Sequence, residues 1–332
     1  MKTYILLLNY NGWRDTQECL ESVLKQDYSN YQIIVVDNHS TNQSMDHLVA
    51  WAKGEEIASV DNKALQSLST PHSSKPIDFI LYDKGTAEQG GIPDTESQLN
   101  NPIVFIQSGE NKGFAAGNNI GIKYALAKDD FEYIWLLNND TVIEPQSLGS
   151  LITFTSKNSV GISGSALFYY DSPKKIQCYG ACVNHFFGTT RFNRSKEEHN
   201  KCLDYIVGAA FLIDKKVIDT VGLLPEEYFL YYEETDYCFN AQKQGFTISV
   251  DIKSIIYHKE GSSIGLSHKN NNNKNEYFDL LSIKNRIIFH HKYLGGGVGL
   301  YLGLLVTILN RIKRKQFNRV FKIMSLVITK NS

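Results

Sequence analysis

The chain has 332 residues, of which 42% are hydrophobic and 21% are charged, and its formal net charge is −1. It is longer than a usual single domain, but α/β folds often use roughly 250 residues as one unit, so we expect one main domain with appendages. Five scattered cysteines and the lack of an apolar stretch behind a basic start argue against a disulfide-stapled secreted domain, and predict free thiols in a reducing, cytoplasmic interior.

The first half of the chain alternates strand-like and helix-like patterns, which is typical of a parallel sheet with crossover helices. The predicted strands are TYILLLNYNG, YQIIVVDNHS, PIVFIQS and YIWLL, and the predicted helices are DTQECLESVLKQ, MDHLVAWAKG and IGIKYALAK. Gly54 is placed to end the second helix. Residues 58–102 break the pattern, so we expect an insertion there that adds one edge strand, IDFILYD.

Polar side chains follow three of the predicted strands at the point where each strand ends. They are Asn9 and Asn11 after the first strand, Asp37 and Asn38 after the second, and Asn138, Asn139 and Asp140 after YIWLL. Ligands bind beyond the carboxyl ends of the strands in open α/β sheets, so three polar ends in register predict a shared crevice. The alternative for the last group is a tight hairpin, because Asn and Asp tolerate the left-handed backbone of such turns.

A glycine-rich stretch, GFAAGNNIG, opens the third predicted helix and contains Gly113, Gly117 and Gly121. Amides at the N-terminus of such a helix can face a phosphate. Packing explains the stretch equally well, because small residues also let a helix lie close to a sheet. The spacing differs from that of the Rossmann dinucleotide-binding fingerprint.

The second half is less regular, and it predicts strands at GISGSALFYY, DYIVGAAFLID and FTISVDIKSIIYHK around a helix near EETDYCFNAQKQG. Mixed strands beside a parallel half predict an α/β sheet with antiparallel additions. Cys178 and Cys182 lie four residues apart, but no second pair at zinc-finger spacing accompanies them, which favours core thiols over a zinc site.

Three carboxylates, Glu233, Glu234 and Asp236, lie within four residues of one another in YFLYYEETDYCFN. Carboxylates crowded beside aromatic rings repel one another's charge and can have raised pKa values, as a general base near neutral pH requires. An acidic first helical turn, which the helix dipole favours, is the alternative. His258 ends the last predicted strand, and a lone histidine is more often structural than a ligand.

The charge distribution singles out the C-terminal end. After Asp279 there are ten basic residues and no acid, so residues 1–279 carry a net charge of −11. The basic run adjoins LGGGVGLYLGLLVTIL, Leu294 to Leu309, which has no charge. An anionic membrane explains this combination better than nucleic acid does. Spanning a bilayer takes roughly 20 apolar residues, so we expect a helix that lies on the membrane or enters it shallowly.

These patterns predict three parts of the chain. Residues 1–265 form the main domain, with the insertion at 58–102 within it. Residues 266–293 form a mobile Asn-rich loop, SHKNNNNKNEYF, and a closing helix, LLSIKNRIIFHHKYL. Residues 294–332 form a basic, apolar, membrane-associated tail with amphipathic helices.

An ordered series of motifs now resembles a known family. The series is similar to bacterial family 2 inverting glycosyltransferases, most closely the rhamnosyltransferase-like branch that builds cell-surface polysaccharides. Its members, in chain order, are NYNG, VVDNHS, NKGFAAGNN, WLLNNDT, GAAFLI, YFLYYEETDYCF, YHKEGSS and KNRIIFHHKY. The resemblance covers Thr3 to Leu294 without the insertion. It implies the GT-A fold, an α/β fold whose Rossmann-like mixed sheet has a nucleotide-binding N-terminal half and an acceptor-binding C-terminal half. It also implies a nucleotide-diphosphate sugar donor and Mg²⁺ or Mn²⁺.

The resemblance also implies roles for individual residues. Glu234 matches the catalytic base, with Glu233 and Asp236 as alternates. The residues expected around the nucleotide sugar are Asn9, Tyr10, Asn11, Asp37, Asn38, Gly113, Asn118, Asn138 and Asn139. The metal ligands are Asp140 and His258, with Asn138 as a further candidate. The acceptor is expected near Tyr205, Gly208, Tyr231 and Tyr232.

Two positions depart from the family pattern. Asn138 occupies an outer position of the Asp-x-Asp metal motif, which removes one negative charge and leaves a weaker, neutral oxygen ligand. Glu234 stands where the base is usually Asp, so its carboxylate extends one methylene further.

A single displacement suits this set of residues. A carboxylate takes the proton of the acceptor hydroxyl as it attacks the anomeric carbon, while a cation neutralises the leaving nucleoside diphosphate. We predict transfer of rhamnose or another hexose from a dTDP- or UDP-sugar to a lipid-linked or polysaccharide acceptor, by a cytoplasmic protein peripherally associated with the inner membrane surface. The alternatives are a nucleotidyltransferase and a catalytically silent nucleotide-sugar-binding subunit.

Overall fold

A ten-stranded mixed sheet forms the centre of the structure, a computed structural model that describes residues 1–259 and 276–328. The predicted Asn-rich loop SHKNNNNKNEYF lies outside the described residues up to position 275, whereas its last three residues, 276–278, are helical and not part of a loop. The end of the YHKEGSS motif, from position 260, also lies outside the described residues. The strands are β1 (Thr3–Asn9), β2 (Tyr31–Asp37), β3 (Phe79–Asp83), β4 (Ile103–Gln107), β5 (Tyr133–Asn138), β6 (Thr141–Ile143), β7 (Ile162–Tyr169), β8 (Ser172–Cys178), β9 (Ala181–Val183), β10 (Thr190–Phe192), β11 (Ala210–Asp214) and β12 (Ile248–His258). The helices are α1 (Trp13–Val23), α2 (Ser44–Lys53), α3 (Gln66–Ser69), α4 (Lys84–Glu88), α5 (Pro93–Glu96), α6 (Phe114–Lys128), α7 (Ser147–Asn158), α8 (Lys196–Lys201), α9 (Lys215–Val221), α10 (Glu233–Lys243), α11 (Glu276–Tyr293), α12 (Val298–Lys313) and α13 (Phe317–Ile328).

The sheet has a parallel half and a mixed half. Its strand order is β3, β4, β2, β1, β5, β11, β7, β12 and β6, with β8 beside β7, while β9 and β10 form a separate pair. The first five strands of this order, from β3 through β4, β2 and β1 to β5, are parallel to one another. Strand β11 runs antiparallel to both β5 and β7. The predicted antiparallel additions are therefore confirmed.

Both faces of the parallel half are buried, which explains why its strands are continuous apolar runs. In β1, Tyr4 and Leu6 face the core layer that contains α6, whereas Ile5 and Leu7 face the layer that contains α1 and α2. Gly54 adopts φ +86° immediately after α2 and ends that helix, as predicted.

The insertion adds β3 to the edge of the sheet, parallel to β4, which confirms the predicted edge strand. It is anchored on the buried carboxylate of Glu21 in α1. That carboxylate accepts hydrogen bonds from Trp51 Nε1 (2.9 Å), the Ser73 backbone N–H (2.7 Å) and Lys75 Nζ (3.0 Å). A buried charge with three donors is well compensated, so the insertion is held firmly against the sheet.

The C-terminal helices α11, α12 and α13 pack on one another. Their shared core consists of Ile283, Ile287, Leu300, Leu304 and Ile323. The last acid of the sequence, Asp279, joins them by pairing with Arg311 of α12 (2.5 Å) and Arg319 of α13 (3.2 Å). Among the helices of the described ranges, none is both long enough and apolar enough to cross a bilayer.

The expectation of five free thiols is wrong for one pair, because Cys182 and Cys202 form a disulfide. Cys19, Cys178 and Cys238 are buried thiols, as expected for Cys178. The pair was hidden in the sequence because its cysteines are 20 residues apart, and only the β9–β10 pairing and α8 bring their Cα atoms to 5.9 Å.

Candidate active site

The carboxyl ends of the central strands lie side by side, as the sequence predicts. Asn9 at the end of β1 is level with Asp37 at the end of β2, and Leu8 is level with Asn138 at the end of β5. The polar groups that follow these strands therefore share one edge of the sheet. The hairpin alternative for Asn138 to Asp140 is wrong, because β6 pairs with β12 and not with β5.

Asp37 and Asn9 form a buried network at this edge. Asp37 is 0% exposed, and its Oδ1 accepts hydrogen bonds from Asn9 Nδ2 and Ser40 Oγ, both at 2.6 Å. Its Oδ2 accepts the Ser40 backbone N–H at 3.1 Å. Ser40 was not among the predicted site residues, although Asp side chains commonly bond to the backbone of the turn that follows them. The hydrogen bonds between Asp37 and Ser40 fix the loop that follows β2.

The other predicted nucleotide-sugar residues divide into exposed and supporting groups. Tyr10 is 36% exposed, and Asn11 is exposed at φ +55° with its backbone N–H donating to Ser40 Oγ (2.8 Å). Asn38, Asn118 and Asn139 are buried. Their amides donate to Gly113 O (3.2 Å), Phe114 O (2.9 Å) and Thr16 Oγ1 (2.9 Å), respectively. Only the first group presents side chains to a ligand, while the second holds the loops in place.

The glycines of α6 are explained by packing. A Cβ on Gly117 or Gly121 would collide with the side chain of Leu8 or Leu6 in β1. Gly113 precedes the helix at φ +95°, and a Cβ there would collide with the carbonyl of Phe229. That carbonyl accepts the Phe114 backbone N–H at 2.8 Å. Close approach of α6 to β1 and to the 229 loop therefore requires glycine, whether or not a phosphate binds.

We expect Gly113→Ala to destabilise the protein by about 3 kcal/mol or more, since it adds a steric clash to an unfavourable backbone conformation. Gly109→Ala is the matched control, because Gly109 also has a positive φ (+78°) but has open space around it. The control should cost only about 1–2 kcal/mol. Urea unfolding of both variants measures the difference, and equal costs would refute the packing explanation.

Asp140 and His258 meet although 118 positions separate them in the chain. Asp140 Oδ1 lies 3.2 Å from His258 Nε2, and Asn138 Nδ2 lies 3.4 Å from the same nitrogen. The other ring nitrogen, Nδ1, is 3.1 Å from Gln177 Oε1, so the glutamine holds the ring with Nε2 directed toward Asp140. The structure therefore brings together all three predicted metal ligands. Gln177 lies on β8 and had no signal in the sequence.

Lys259 fixes the end of β12 beside this group, and sequence analysis also missed it. Its backbone N–H donates to Asp140 O at 2.9 Å. Its buried ammonium pairs with Asp15 (2.5 Å) and Glu18 (2.6 Å) of α1, and these carboxylates raise its pKa despite the opposing effect of burial. The turn after β5 is thus tied to α1 as well as to β12.

Glu234 lies in the first turn of α10, where burial raises its pKa to about 7. Nearby backbone N–H groups, including that of Gly208, favour the ionised carboxylate and oppose this rise. Its Oε2 atom is buried and has no hydrogen-bond partner within the described part of the chain. The neighbouring Ala209 accepts the Asn138 backbone N–H at 3.0 Å. The segment of Gly208 and Ala209 therefore connects Glu234 to the end of β5.

The two alternate carboxylates have surroundings of their own, although the Oε2 atom of Glu233, like that of Glu234, is buried without a hydrogen-bond partner among the described residues. Glu233 is 3% exposed, and burial together with the charge of Glu234 raises its pKa well above the usual value. Asp236 accepts hydrogen bonds from the hydroxyls of Tyr228 (2.9 Å) and Tyr293 (2.7 Å) and pairs with Lys292 (2.8 Å). Burial and the charge of Glu234 therefore disfavour ionisation of Glu233, and Asp236 is held in a structural network.

A strained turn precedes Glu233 and Glu234. Tyr231 and Tyr232 both have positive φ, at +75° and +76°, which is unfavourable for bulky residues. Asn285 of α11 supports the turn, because its Nδ2 donates to Leu230 O and Tyr231 O at 2.9 Å each. Asn285 belongs to the KNRIIFHHKY motif, for which the sequence alone suggested no role.

The predicted acceptor residues surround this turn. Tyr205 is 3% exposed and Tyr232 is 8% exposed, with the Tyr232 hydroxyl donating to Gly188 O at 2.8 Å. Tyr231 is half-buried, and Gly208 faces Glu234, whose Cβ lies 4.0 Å from where a Cβ on the glycine would be. Tyr205 and Tyr232 therefore form the wall behind Glu234, while Gly208 leaves space beside it.

The amino-acid sequence matches one family model and is similar to two characterised transferases. Residues 4–64 and 75–221 match the model of Glycosyl transferase family 2. The chain is 29% identical over 156 residues to the low-salt glycan biosynthesis hexosyltransferase Agl10 of Haloferax volcanii, covering 44% of this chain and 48% of that protein. It is 25% identical over 241 residues to the dTDP-rhamnosyl transferase RfbF of Shigella flexneri, covering 68% and 69%. The chain thus spans about half the length of the Haloferax relative.

Two solved structures share the fold. The mannosyltransferase PcManGT of Pyrobaculum calidifontis, in complex with GDP-Man and Mn²⁺, has a TM-score of 0.53 at 10% identity, covering 99% of this chain and 74% of that one. GalNAc-T7 with UDP, GalNAc and Mn²⁺ has a TM-score of 0.54 at 11% identity, covering 88% and 48%.

Proposed function

The chain belongs to glycosyl transferase family 2, and from that premise we propose that it is an inverting enzyme that transfers one hexose by single displacement. It is a glycosyltransferase with the GT-A fold, as the motif series predicts. The observation that carries the mechanism is the buried, unpartnered Oε2 of Glu234, connected through Gly208 and Ala209 to the strand end that bears Asn138. The family assignment removes the nucleotidyltransferase alternative.

Glu234 performs the proton transfer in this proposal. The acceptor hydroxyl attacks the anomeric carbon, its proton moves to Oε2 of Glu234, and the bond from that carbon to the diphosphate breaks. One displacement inverts the anomeric configuration. The carboxylate must be ionised to accept the proton, and a pKa near 7 keeps it a strong enough base at neutral pH.

A divalent cation, Mg²⁺ or Mn²⁺, fits the residues at the end of β5. Asp140 offers a carboxylate and His258 an imidazole nitrogen that Gln177 orients. The Asn138 amide lies beside them, with its Nδ2 3.4 Å from His258 Nε2, and would have to rotate to offer its neutral oxygen. Oxygen ligands with one imidazole suit Mn²⁺ well. When bound, the cation would neutralise the charge that develops on the leaving diphosphate. The solved structures of PcManGT and GalNAc-T7, which share the fold and both contain Mn²⁺, support this assignment.

The donor proposed is a dTDP- or UDP-sugar, with rhamnose or another hexose, and the acceptor is a lipid-linked or polysaccharide glycan. The names of the two relatives, a dTDP-rhamnosyl transferase and a hexosyltransferase of glycan biosynthesis, support this class of substrates. Tyr10 and Asn11 present the exposed polar surface for the nucleotide.

A donor screen tests the proposal. Purified protein with Mn²⁺ and a lipid-linked saccharide is incubated with dTDP-rhamnose or one of several UDP-hexoses, and release of nucleoside diphosphate and the product anomer are measured. Acceptor-dependent release with inversion is expected for one donor. Donor binding without transfer to any acceptor would favour the silent nucleotide-sugar-binding subunit, and a retained anomeric configuration would refute the single displacement.

We further propose that the protein is cytoplasmic and associates peripherally with the inner membrane through α12 and α13. These helices expose an apolar stripe made of Val298, Leu302, Leu305, Val306, Leu309, Ile312, Phe317, Phe321 and Met324. The exposed basic residues Lys313, Arg314, Lys315 and Lys322 adjoin it. We call this set the tail surface. Apolar side chains bordered by cations fit a surface of anionic lipid.

Replacing two leucines of the tail surface should release the protein from membranes. Leu305→Glu with Leu309→Glu is expected to weaken binding to vesicles that contain anionic lipid by about 10²- to 10⁴-fold, since each leucine buried in the membrane contributes about 1.5–3 kcal/mol. This pair is better than deletion after Leu294, which would also strip Leu300 and Leu304 from α11.

Thr153→Glu with Ser156→Glu, which adds the same charges on exposed positions of α7, is the control for the leucine pair. Vesicle cosedimentation measures the partitioning of both variants. Undiminished binding of the leucine variant would place the membrane contact elsewhere.

A further inference from the structure

Two cysteines, a carboxylate and a histidine meet between β8 and β11. The sulfurs of Cys182 and Cys202 and a carboxylate oxygen of Asp204 all lie within 4.8 Å of one another. His185 Nε2 lies 3.6 Å from Asp204 Oδ1. Thiolate sulfur, imidazole nitrogen and carboxylate oxygen are the ligands that Zn²⁺ takes in proteins, usually four at a time.

The segment that carries these residues has little core of its own. It contains only the three-residue strands β9 and β10 and the six-residue helix α8. Small units of this kind depend on a disulfide or a metal for stability. A cross-link between Cys182 and Cys202 closes most of the segment into one loop.

The disulfide is the oxidised form of this cluster, whereas cytoplasmic thiols are kept reduced. We propose that the reduced Cys182–Cys202 pair binds one Zn²⁺ together with Asp204 and His185, an inference that rests on the proposed location and not on the sugar chemistry. A dithiol reductant opens the disulfide to two thiols and becomes a disulfide itself. The thiols then release their two protons as they bind the cation.

The surroundings hold three of the four groups, Cys182, Cys202 and Asp204, in position. Asn193 is fully buried, its Nδ2 donates to Cys202 O at 2.7 Å, and its Oδ1 lies 3.3 Å from Cys182 Sγ. The Val183 backbone N–H donates to Asp204 Oδ2 at 2.7 Å, which leaves Oδ1 directed toward His185. Such supporting hydrogen bonds orient metal ligands. Two sulfurs on one zinc are roughly 3.8 Å apart, a separation that rotation of the two side chains can reach.

The zinc would also stabilise the segment that leads to Glu234. The Ala181 backbone N–H donates to Tyr205 O at 3.1 Å, so β9 holds the residue that follows Asp204. Three residues later, Gly208 lies beside Glu234, whose Cβ is 4.0 Å from where a Cβ on the glycine would be. The cluster therefore anchors one end of the wall behind the candidate base.

Zinc content of the full-length protein tests the proposal. Protein purified in a phosphine reductant is loaded with Zn²⁺ alone, dialysed and analysed by elemental mass spectrometry. About one zinc per chain is expected in the reduced wild type, and after Cd²⁺ replacement a thiolate-to-metal absorption band should appear in the ultraviolet. Cys202→Ser and Asp204→Ala should both lose the zinc, so a folding defect in one variant leaves the other as a test.

Two controls separate this site from others in the molecule. Cys178→Ser removes a thiol outside the cluster, and Asp140→Ala disables the candidate Mn²⁺ site, so both should retain the zinc. Equal zinc in wild type and Cys202→Ser, or no zinc in the reduced wild type, would overturn the proposal. None of these measurements requires sugar transfer, so a failure of the proposed function would be seen separately.

Discussion

Replacing Glu234 with glutamine is expected to lower the rate of sugar transfer by roughly 10²- to 10⁴-fold, the usual contribution of a positioned general base. The amide has nearly the same size as the carboxylate but cannot take the proton of the acceptor hydroxyl. Donor affinity should change little, because the carboxylate has no proposed contact with the nucleotide. Initial rates of nucleoside diphosphate release and calorimetric titration of the donor measure the two effects.

The wild-type enzyme should show a matching dependence on pH. Only the ionised carboxylate can act as the base, and burial raises the pKa of Glu234 to about 7. Transfer should therefore increase as pH rises through about 7 and level off above it. The residual activity of Glu234→Gln should lack this increase.

Stability distinguishes loss of the base from loss of the fold. A carboxyl group whose pKa is raised by folding binds its proton more tightly in the folded state, so the wild type loses stability as pH rises from about 4.5 to about 7. Glutamine carries no charge and avoids this cost. We expect Glu234→Gln to be more stable than the wild type at pH 8, by up to about 3 kcal/mol, and much less so at pH 4.5.

The neighbouring carboxylates provide the controls. Asp236→Asn should weaken the network with Tyr228, Tyr293 and Lys292, and therefore lower stability more than it lowers the rate per folded molecule. Glu233→Gln should keep a pH-dependent rate, because the proposed base, Glu234, is still present and ionisable. Full activity in Glu234→Gln, with a large loss in either control, would move the base to that residue.

The parts of the fold that depend on local pattern could be predicted from the sequence. Continuous apolar runs give strands buried on both faces, so β1, β2, β4 and β5 and the polar residues at their ends were correctly predicted. The register between Asn9 and Asp37 follows from the parallel arrangement. These features need no information about distant parts of the chain.

Contacts between distant segments could not be predicted from residue physics alone. His258 reaches Asp140 because β6 leaves β5 and pairs with β12 at the far end of the sheet order. No periodicity reports such a pairing, and only the resemblance to the family suggested it. The disulfide was missed for the same reason. The supporting side chains of Gln177 and Asn285 are ordinary polar residues on a strand and a helix, so their roles appear only in the folded chain.

Replacing Asp140 with alanine is expected to lower sugar transfer by about 10³-fold or more and to abolish the dependence on Mn²⁺. Asp140 is the only carboxylate among the three predicted metal ligands. Its loss leaves an imidazole and a neutral amide, which bind a hard cation weakly. Stabilisation of the leaving diphosphate by the cation amounts to several kcal/mol, and each 1.36 kcal/mol is a tenfold change in rate. Mn²⁺ titrations of the rate and of donor-dependent thermal stabilisation measure both effects.

Three further variants show whether the cation binds as proposed. Gln177→Ala should lower Mn²⁺ affinity by about 10- to 100-fold, because His258 loses the group that orients it, and excess Mn²⁺ should restore its activity. Asn138→Asp should tighten Mn²⁺ binding if residue 138 contacts the cation. Asp251→Ala removes another buried carboxylate, bonded to Ser150 at 2.6 Å, and should lose stability while keeping the Mn²⁺ dependence. An Asp140→Ala enzyme that retained Mn²⁺-dependent turnover would remove Asp140 from the metal site.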